Sequence, residues 1–199
     1  MSCEHSQRHW TRALTGAAWV FVVLGCGGVQ RGQSVPLDAR ALYPLAQGNS
    51  WSYDVDTGDK LPTLAMLQVR QRQGTEAEVR ASAGNPLHYR VGAQGIWRID
   101  KNAYLLKNPI RTGATWASGP DMQAKVEAMG LSVDTPAGRF QDCVEVHEQA
   151  RSGQQIRTTY CPGVGPVRID STLHLPSAGR PVRAVGLLRA YRVQDAAKR

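Results

Sequence analysis

Short segments of alternating apolar and polar residues run through the chain from residue 50 to residue 193 and constrain its fold most strongly. This alternation is typical of half-buried β-strands. Turn-forming residues stand between the segments, for example at Gln73-Gly74, Gly84-Asn85-Pro86 and Pro136-Ala137-Gly138. Residues 122–129 and 187–197 leave a short helix open as an alternative to a strand. The sequence predicts a mainly β protein with a single antiparallel β domain, folded as a half-barrel, barrel or sandwich, over residues 41–199.

The N-terminal segment has a different composition from the rest of the chain. Arg8 and Arg12 precede an apolar run over residues 13–24, which is followed by Gly25 and Cys26. This run is too short for a spanning helix, which needs about 20 apolar residues. The arrangement resembles a bacterial lipoprotein signal peptide with its lipobox.

The lipoprotein resemblance implies a boundary and an anchor. Residues 1–25 would be the signal peptide, Cys26 would carry acyl chains such as palmitate, and residues 26–40 would form a flexible tether. The acyl chains would then bind the membrane. In Gram-negative lipoproteins an aspartate after the cysteine favours inner-membrane retention, and Gly27 stands here. The resemblance therefore favours the outer membrane, facing the periplasm or the cell surface. The alternative is a secretory signal that happens to contain a cysteine or is cut elsewhere.

Two cysteines remain after Cys3 leaves with the signal and Cys26 is acylated. Cys143 and Cys161 lie in two predicted strands that are joined by Arg151-Ser152-Gly153. A hairpin centred on Ser152 places the two cysteines opposite each other in a non-hydrogen-bonded pair, where Cα atoms approach to about 4.5 Å. A disulfide fits this spacing and suits an exported protein. Two reduced cysteines are the alternative.

An eight-residue pattern occurs twice, with proline first, an apolar residue second, glycine fifth and tryptophan last. Pro44, Gly48 and Trp51 mark the first copy, and Pro109, Gly113 and Trp116 mark the second. Each copy precedes a predicted strand. We interpret the pattern as a repeated structural corner, with a tight turn at the glycine and a tryptophan that covers the end of the core. Duplication of a β module is the alternative.

The same residues carry a resemblance to a poorly characterised family of bacterial lipoproteins. Its motifs are P-L-x-x-G-x-x-W-x-Y, T-P-A-G-x-F and Y-x-P-G-V-G, found here from Pro44 to Tyr53, from Thr135 to Phe140 and from Tyr160 to Gly165. The matched residues are mainly turn and corner residues. The resemblance implies no known reaction, cofactor or catalytic residue.

Charge indicates what the domain could bind. The whole chain has 24 basic and 16 acidic side chains, and residues 1–25 contain two arginines and one glutamate, so the net charge changes from +8 to +7 on cleavage. A basic exported domain could contact anionic lipid or an anionic glycan, and an envelope protein is a further candidate partner. An exported location argues against nucleic acid.

The mature sequence offers little chemistry. We find no zinc spacing, nucleophile elbow or phosphate loop in it, and therefore expect no catalytic, metal or cofactor site. Glu145 and His147 share a strand face with Arg157 and are interpreted as a solvated charge cluster. Asp170, Ser171 and His174 suggest a hydrolase only weakly. Trp51, Tyr53, Trp97 and Trp116 could form an aromatic platform, although core packing is the more usual role.

The sequence therefore predicts a lipid-anchored cell-envelope lipoprotein with a non-catalytic binding or scaffolding domain. A ligand-sized apolar cavity inside the sheet would indicate lipid cargo, whereas a packed interior would indicate scaffolding or protein contact. The alternative is a secreted or envelope hydrolase whose site is assembled from distant residues.

Overall fold

The computed structural model describes residues 37–58, 61–173 and 181–194. A four-residue helix precedes twelve strands. The elements are α1 (Ala39–Leu42), β1 (Ser50–Asp56), β2 (Thr63–Gln73), β3 (Glu76–Ala81), β4 (Leu87–Gly92), β5 (Gly95–Arg98), β6 (Ala103–Lys107), β7 (Thr115–Gly119), β8 (Met122–Thr135), β9 (Gly138–Ala150), β10 (Gln155–Cys161), β11 (Gly165–Leu173) and β12 (Val182–Arg192).

All twelve strands belong to one antiparallel sheet, in the order β6-β5-β4-β3-β2-β1-β12-β11-β10-β9-β8-β7. Each strand pairs with its neighbour in sequence, except that β1 pairs with β12 and leaves β6 and β7 as the two edges. The sheet is a nearly closed barrel, which confirms the predicted fold class. The short helices considered for residues 122–129 and 187–197 are wrong where the structure describes them, since β8 and β12 cover those residues up to Arg192.

The barrel has two ends, which we name by their connections. The proximal end contains the start of β1, the end of β12 and the turns β2–β3, β4–β5, β8–β9 and β10–β11, together with the β6–β7 connection. The distal end contains the turns β1–β2, β3–β4, β5–β6, β7–β8 and β9–β10. The strands are antiparallel, so connections alternate between the two ends along the chain.

Side chains bridge the seam between the edge strands β6 and β7. The Trp116 indole Nε1–H on β7 donates to the Tyr104 carbonyl oxygen on β6 at 3.0 Å. Farther along the seam, Arg98 Nη2 on β5 donates to the Ser118 carbonyl oxygen on β7 at 2.5 Å. The seam is therefore joined by side chain to backbone bonds at positions where a ladder would close a complete barrel.

Helix α1 lies against the proximal end. Asp38 is its N-cap and accepts a hydrogen bond from the Arg40 backbone N–H at 2.8 Å. Ala39 is fully buried, and its N–H donates to Asn108 Oδ1 at 3.0 Å. The Gly163 N–H in the β10–β11 turn donates to the Ala41 carbonyl oxygen at 2.8 Å. Residues 38–40 thus belong to the capped turn, with Ala39 buried and Arg40 exposed, although the predicted tether runs to residue 40.

Aromatic side chains fill the centre of the barrel. The Tyr43 ring follows α1 into the interior, where its centroid lies 5.2 Å from that of Trp51, 6.0 Å from Tyr89 and 6.3 Å from Tyr160. All four side chains are buried, and Trp51 is 1% exposed. Edge-on and tilted contacts at these distances stabilise aromatic clusters beyond the area they bury. The cluster makes this part of the interior solid.

The two copies of the repeated pattern adopt the same backbone geometry. Gly48 and Gly113 have φ angles of +88° and +82°, which glycine adopts without strain. The Gly48 N–H donates to the Val69 carbonyl oxygen on β2 at 2.9 Å, and the Gly113 N–H donates to that of Val126 on β8 at 2.8 Å. The copies thus form equivalent corners at the start of the six-strand halves β1–β6 and β7–β12.

The β9–β10 hairpin has the predicted register. Val144 pairs with Tyr160, and Glu148 pairs with Ile156. Cys143 and Cys161 form a disulfide, and their Cα atoms are 4.2 Å apart. This distance agrees with the non-hydrogen-bonded pairing expected from the loop between the strands. The disulfide therefore fixes the proximal end of β9 to that of β10.

Replacing Cys143 and Cys161 together with serine is expected to lower the free energy of unfolding by about 3 kcal/mol, the loop-closure value for a loop of this size. The cross-linked residues are 18 positions apart. Urea unfolding of the oxidised wild type and the double variant would measure the difference. A reductant should lower the midpoint of the wild type alone; an equal response of both proteins would contradict the expectation.

Candidate functional site

The motif residues of the sequence come together at the proximal end. The Trp51 Nε1–H donates to the Val164 carbonyl oxygen at 2.6 Å, and the Tyr53 hydroxyl donates to that of Pro166 at 2.8 Å. Gly165 has a φ of +115°, and a Cβ there would lie 2.7 Å from Trp51 Nε1. The indole thus packs directly on the backbone of the Pro-Gly-Val-Gly turn. These motifs build a structural corner.

The β8–β9 hairpin completes the same end. The Ala137 N–H at its tip donates to the Leu188 carbonyl oxygen on β12 at 3.0 Å. The Phe140 ring packs against Tyr191 with centroids 5.8 Å apart. The Thr-Pro-Ala-Gly motif is therefore the turn that attaches this long hairpin to the strand closing the barrel.

A buried ion pair lies inside the distal half of the barrel. Arg98 Nη2 on β5 donates to Glu148 Oε1 on β9 at 2.6 Å, and the same nitrogen donates to the Ser118 carbonyl oxygen on β7. The two side chains are 15% and 5% exposed. Glu148 occupies the same inward face of β9 as Val144 and Val146, because side chains alternate along a strand. The pair connects three strands across the seam.

Two polar atoms beside the ion pair have no partner among the described residues. They are Arg98 Nε and the Ser118 hydroxyl oxygen, and both are buried. Arg98 and Ser118 line a cleft of about 410 Å³ at the distal end, together with Lys101, Pro120 and Ile156. A cleft with apolar walls and a few inward polar groups is the usual form of a small-ligand site. This distal cleft is the candidate site.

Two tyrosines of the aromatic cluster, Tyr89 and Tyr160, lie near enough to the ion pair to be affected by its charges. Burial raises the pKa of Tyr89 and of Tyr160 well above the ordinary phenol value. The charges of Arg98 and Glu148 shift the pKa of each tyrosine in opposite directions. Both hydroxyls therefore keep their protons well into the alkaline range.

The charged residues predicted to cluster on β9 and β10 form two separate contacts. Glu145 Oε1 lies 3.1 Å from Arg157 Nη1, whereas His147 Nδ1 lies 3.7 Å from Glu127 Oε1 on β8. Glu145 and His147 thus share a face without contacting each other. The Asp170 carboxylate forms ion pairs with two arginines: its Oδ2 lies 2.7 Å from Arg168 Nε, and its Oδ1 lies 3.1 Å from Arg183 Nη2.

Core packing, the more usual role for the four aromatic side chains, is confirmed for three of them, and the alternative of an aromatic platform is wrong for those three. Trp51, Tyr53 and Trp116 are buried in the core. Trp97 is half-buried, and its ring meets Tyr104 edge-on with centroids 4.7 Å apart. The interior needs large side chains to fill it, which is why the corner tryptophans point inward.

The distal cleft offers binding groups and no evident catalytic unit. Within residues 37–58, 61–173 and 181–194, the Ser118 hydroxyl has no hydrogen-bonded base that could activate it. In the same ranges no cluster of three or more His, Cys, Asp or Glu side chains is suited to a metal ion.

The described helix is too short to cross a membrane. Cys26 and His174 lie outside the described residues.

Comparisons with known proteins give a distant likeness. No family model and no curated protein matches the chain. A Bacteroides fragilis protein, described as exported and as having a YmcC-like fold, is 14% identical, with 76% of this chain and 98% of that chain covered and a TM-score of 0.46. A Parabacteroides distasonis protein, described as a lipoprotein, is 13% identical, with 78% and 100% covered and a TM-score of 0.44.

Proposed function

We propose that this protein is a lipid-anchored cell-envelope lipoprotein whose barrel is a non-catalytic binding or scaffolding domain. Acyl chains on Cys26 would hold it to a bilayer, and the residue after Cys26 favours the outer membrane. The proposal includes membership of the lipoprotein family whose three motifs the sequence resembles. An envelope protein, a lipid or an anionic glycan is the class of partner.

The packed interior is the observation that supports binding at the surface of the barrel rather than inside it. Tyr43, Trp51, Tyr89 and Tyr160 occupy the space that a lipid cargo would need inside the sheet. Ligand or partner contact is thereby directed to the barrel surface and to the distal cleft. Buried aromatic clusters are costly to displace, since removing one ring from a core costs about 3–5 kcal/mol.

The point at which the chain enters the barrel supports binding at the distal end. Helix α1 joins the barrel at the proximal end, so the segment between Cys26 and Leu37 reaches the domain there. The eleven Cα–Cα steps from Cys26 to Leu37 span at most about 36–40 Å. An acylated Cys26 would keep the proximal end close to the bilayer and leave the distal cleft as the more accessible end.

Substitution of Cys26 with serine tests the anchor. We expect the native protein to show the mass gain of two or three acyl chains and to fractionate with membranes, because acyl chains supply the membrane affinity. The Cys26→Ser form should lack both properties, while a Cys3→Ser control should retain them. A soluble, unacylated native protein would contradict the lipoprotein proposal and favour a freely secreted binding protein or enzyme.

A further inference from the structure

Unpaired cations are concentrated around the proximal end of the barrel. Arg72 lies before the β2–β3 turn, Lys107 ends β6, Arg111 lies in the β6–β7 connection and Arg192 ends β12. No carboxylate among the described residues is within ion-pair distance of these four side chains. Arg70 is similar and pairs only with the amide of Gln68.

The acids near this end are largely held by other arginines. Asp38 contacts Arg40 at 2.6 Å, and Glu76 contacts Arg90 at 2.9 Å. Asp134 lies 3.7 Å from Arg139 in the β8–β9 hairpin. Glu78 contacts Arg80 at 3.0 Å, and Asp142 is the acid of this end that has no ion pair among the described residues. The proximal end therefore keeps a surplus of positive charge after its ion pairs are formed.

An open groove extends this positive surface along the outside of the barrel. It has a volume of about 530 Å³ and lies beside Gln47 at the first corner. Arg70, Arg72 and Arg80 line it, and Glu78 is the acid among its lining residues, at 3.0 Å from Arg80. Arginine in such a setting binds phosphate oxygens through paired N–H donors.

The described residues of the distal end have no comparable surplus of positive charge. Among the described residues there, Lys101 and Arg151 are cations without a carboxylate partner. Asp56, Asp100 and Asp121 are acids without an ion pair in the same part of the chain. Arg168 and Arg183 share the single carboxylate of Asp170, which adds one uncompensated positive charge to this half. Counted over the described residues, the proximal end is therefore positive and the distal end is close to balanced.

We infer that the proximal end docks onto the anionic phospholipid headgroups of the bilayer that holds the anchor. The inference rests on the proposed acylation of Cys26 for the orientation of the domain. Two observations support it: the chain joins the barrel at the positive end, and the span between Cys26 and Leu37 keeps that end within about 40 Å of the surface.

Electrostatic docking of this kind is weak for each contact and additive over several. A lysine or arginine near an anionic leaflet contributes about 1 kcal/mol, which is about a fivefold gain in affinity. The attraction falls off over about 10 Å at 0.1 M salt, so cations at the distal end contribute little. Anchoring raises the local concentration of headgroups at the proximal end and makes the contact persistent.

Vesicle binding by the unacylated Cys26→Ser chain tests docking separately from the anchor. We expect co-sedimentation with phosphatidylcholine vesicles that contain phosphatidylglycerol, loss of binding with phosphatidylcholine alone, and weakening with added salt. Replacing Arg72, Lys107 and Arg111 with glutamine should weaken binding about 100-fold, from about fivefold for each charge.

A distal triple variant is the matched control. Glutamine in place of Lys101, Arg151 and Arg183 removes the same net charge, and most of the affinity for the mixed vesicles should remain. Equal loss in the two triple variants would show that overall charge governs binding and would overturn the inference. Failure to bind the mixed vesicles would also overturn the inference, and it would do so even if the protein still bound soluble dextran sulfate. An acylated protein that fails only this assay would leave the anchor proposal standing.

Discussion

Replacement of Arg98 with methionine is expected to lower the free energy of unfolding by about 3–5 kcal/mol, the cost of breaking a buried ion pair from one side. Glu148 would stay inside the barrel with its carboxylate unpaired, because its side chain is only 5% exposed. The variant would also lose the bond from Arg98 to the Ser118 carbonyl oxygen, which links β5 to β7. The seam between β6 and β7 should therefore loosen.

A double variant separates the cost of the unpaired charge from the loss of packing. Changing Arg98 to methionine and Glu148 to leucine removes both charges and keeps apolar volume, and such exchanges are often neutral. We expect the double variant to recover most of the stability that the single variant loses. Urea unfolding of the wild type and of the single and double variants would measure the coupling between the two positions.

The Arg80–Glu78 pair provides the surface control for this experiment. Its nitrogen to oxygen distance is 3.0 Å, and the Arg80 side chain is 62% exposed. Changing Arg80 to methionine should cost about 1 kcal/mol or less, because water screens exposed pairs. An Arg98→Met variant as stable as the Arg80→Met variant would mean that the buried pair contributes no more than a surface pair.

Replacement of Trp51 with alanine is expected to cost about 3–5 kcal/mol, the range for deleting a large buried ring. The indole is 1% exposed and contacts Tyr43 in the aromatic cluster. It also donates to the Val164 carbonyl oxygen and packs on Gly165. Its loss would open a cavity at the proximal end and leave that carbonyl without its donor.

Two further substitutions divide the contribution of Trp51. Phenylalanine at position 51 keeps most of the ring volume and removes the indole N–H, so the loss should be about 1–3 kcal/mol for the unsatisfied partner. Alanine at Trp97 deletes the same side chain from the half-buried ring pair with Tyr104 and should cost less than the Trp51 deletion. Equal costs at positions 51 and 97 would contradict the central role of Trp51.

The alternation of apolar and polar residues was sufficient to predict the fold class and most of the strands. The β9–β10 register followed from Arg151-Ser152-Gly153, because a short turn sets the pairing of both strands. The sequence of residues 122–129 leaves both a strand and a helix open, since its apolar residues also fit one helical turn. Pairing with β9 decides in favour of a strand, and that long-range contact leaves no local signature.

The distal cleft could not be predicted from local patterns. Glu148 lies on the inward face of β9, after Val144 and Val146. A charged residue at a position where the alternation predicts an apolar one is the only sequence signal of a buried polar site. Its partner, Arg98, is 50 residues away and belongs to a different half of the barrel. The contact exists because the sheet curls until β5 approaches β7 and β9. Sequence spacing alone carries no information about this curvature.

Closure by β1 and β12 has a consequence for the order of folding. Ser50 pairs with Arg192, whereas every other ladder joins strands adjacent in the sequence. Hairpins along the chain can form as soon as both of their strands are present, but this ladder must bring together the two ends of the domain, with a larger loss of chain entropy. Until the last strand arrives, β1 and β11 each expose an edge on which another chain could pair. The final eleven residues of the sheet thus protect the domain from intermolecular strand pairing.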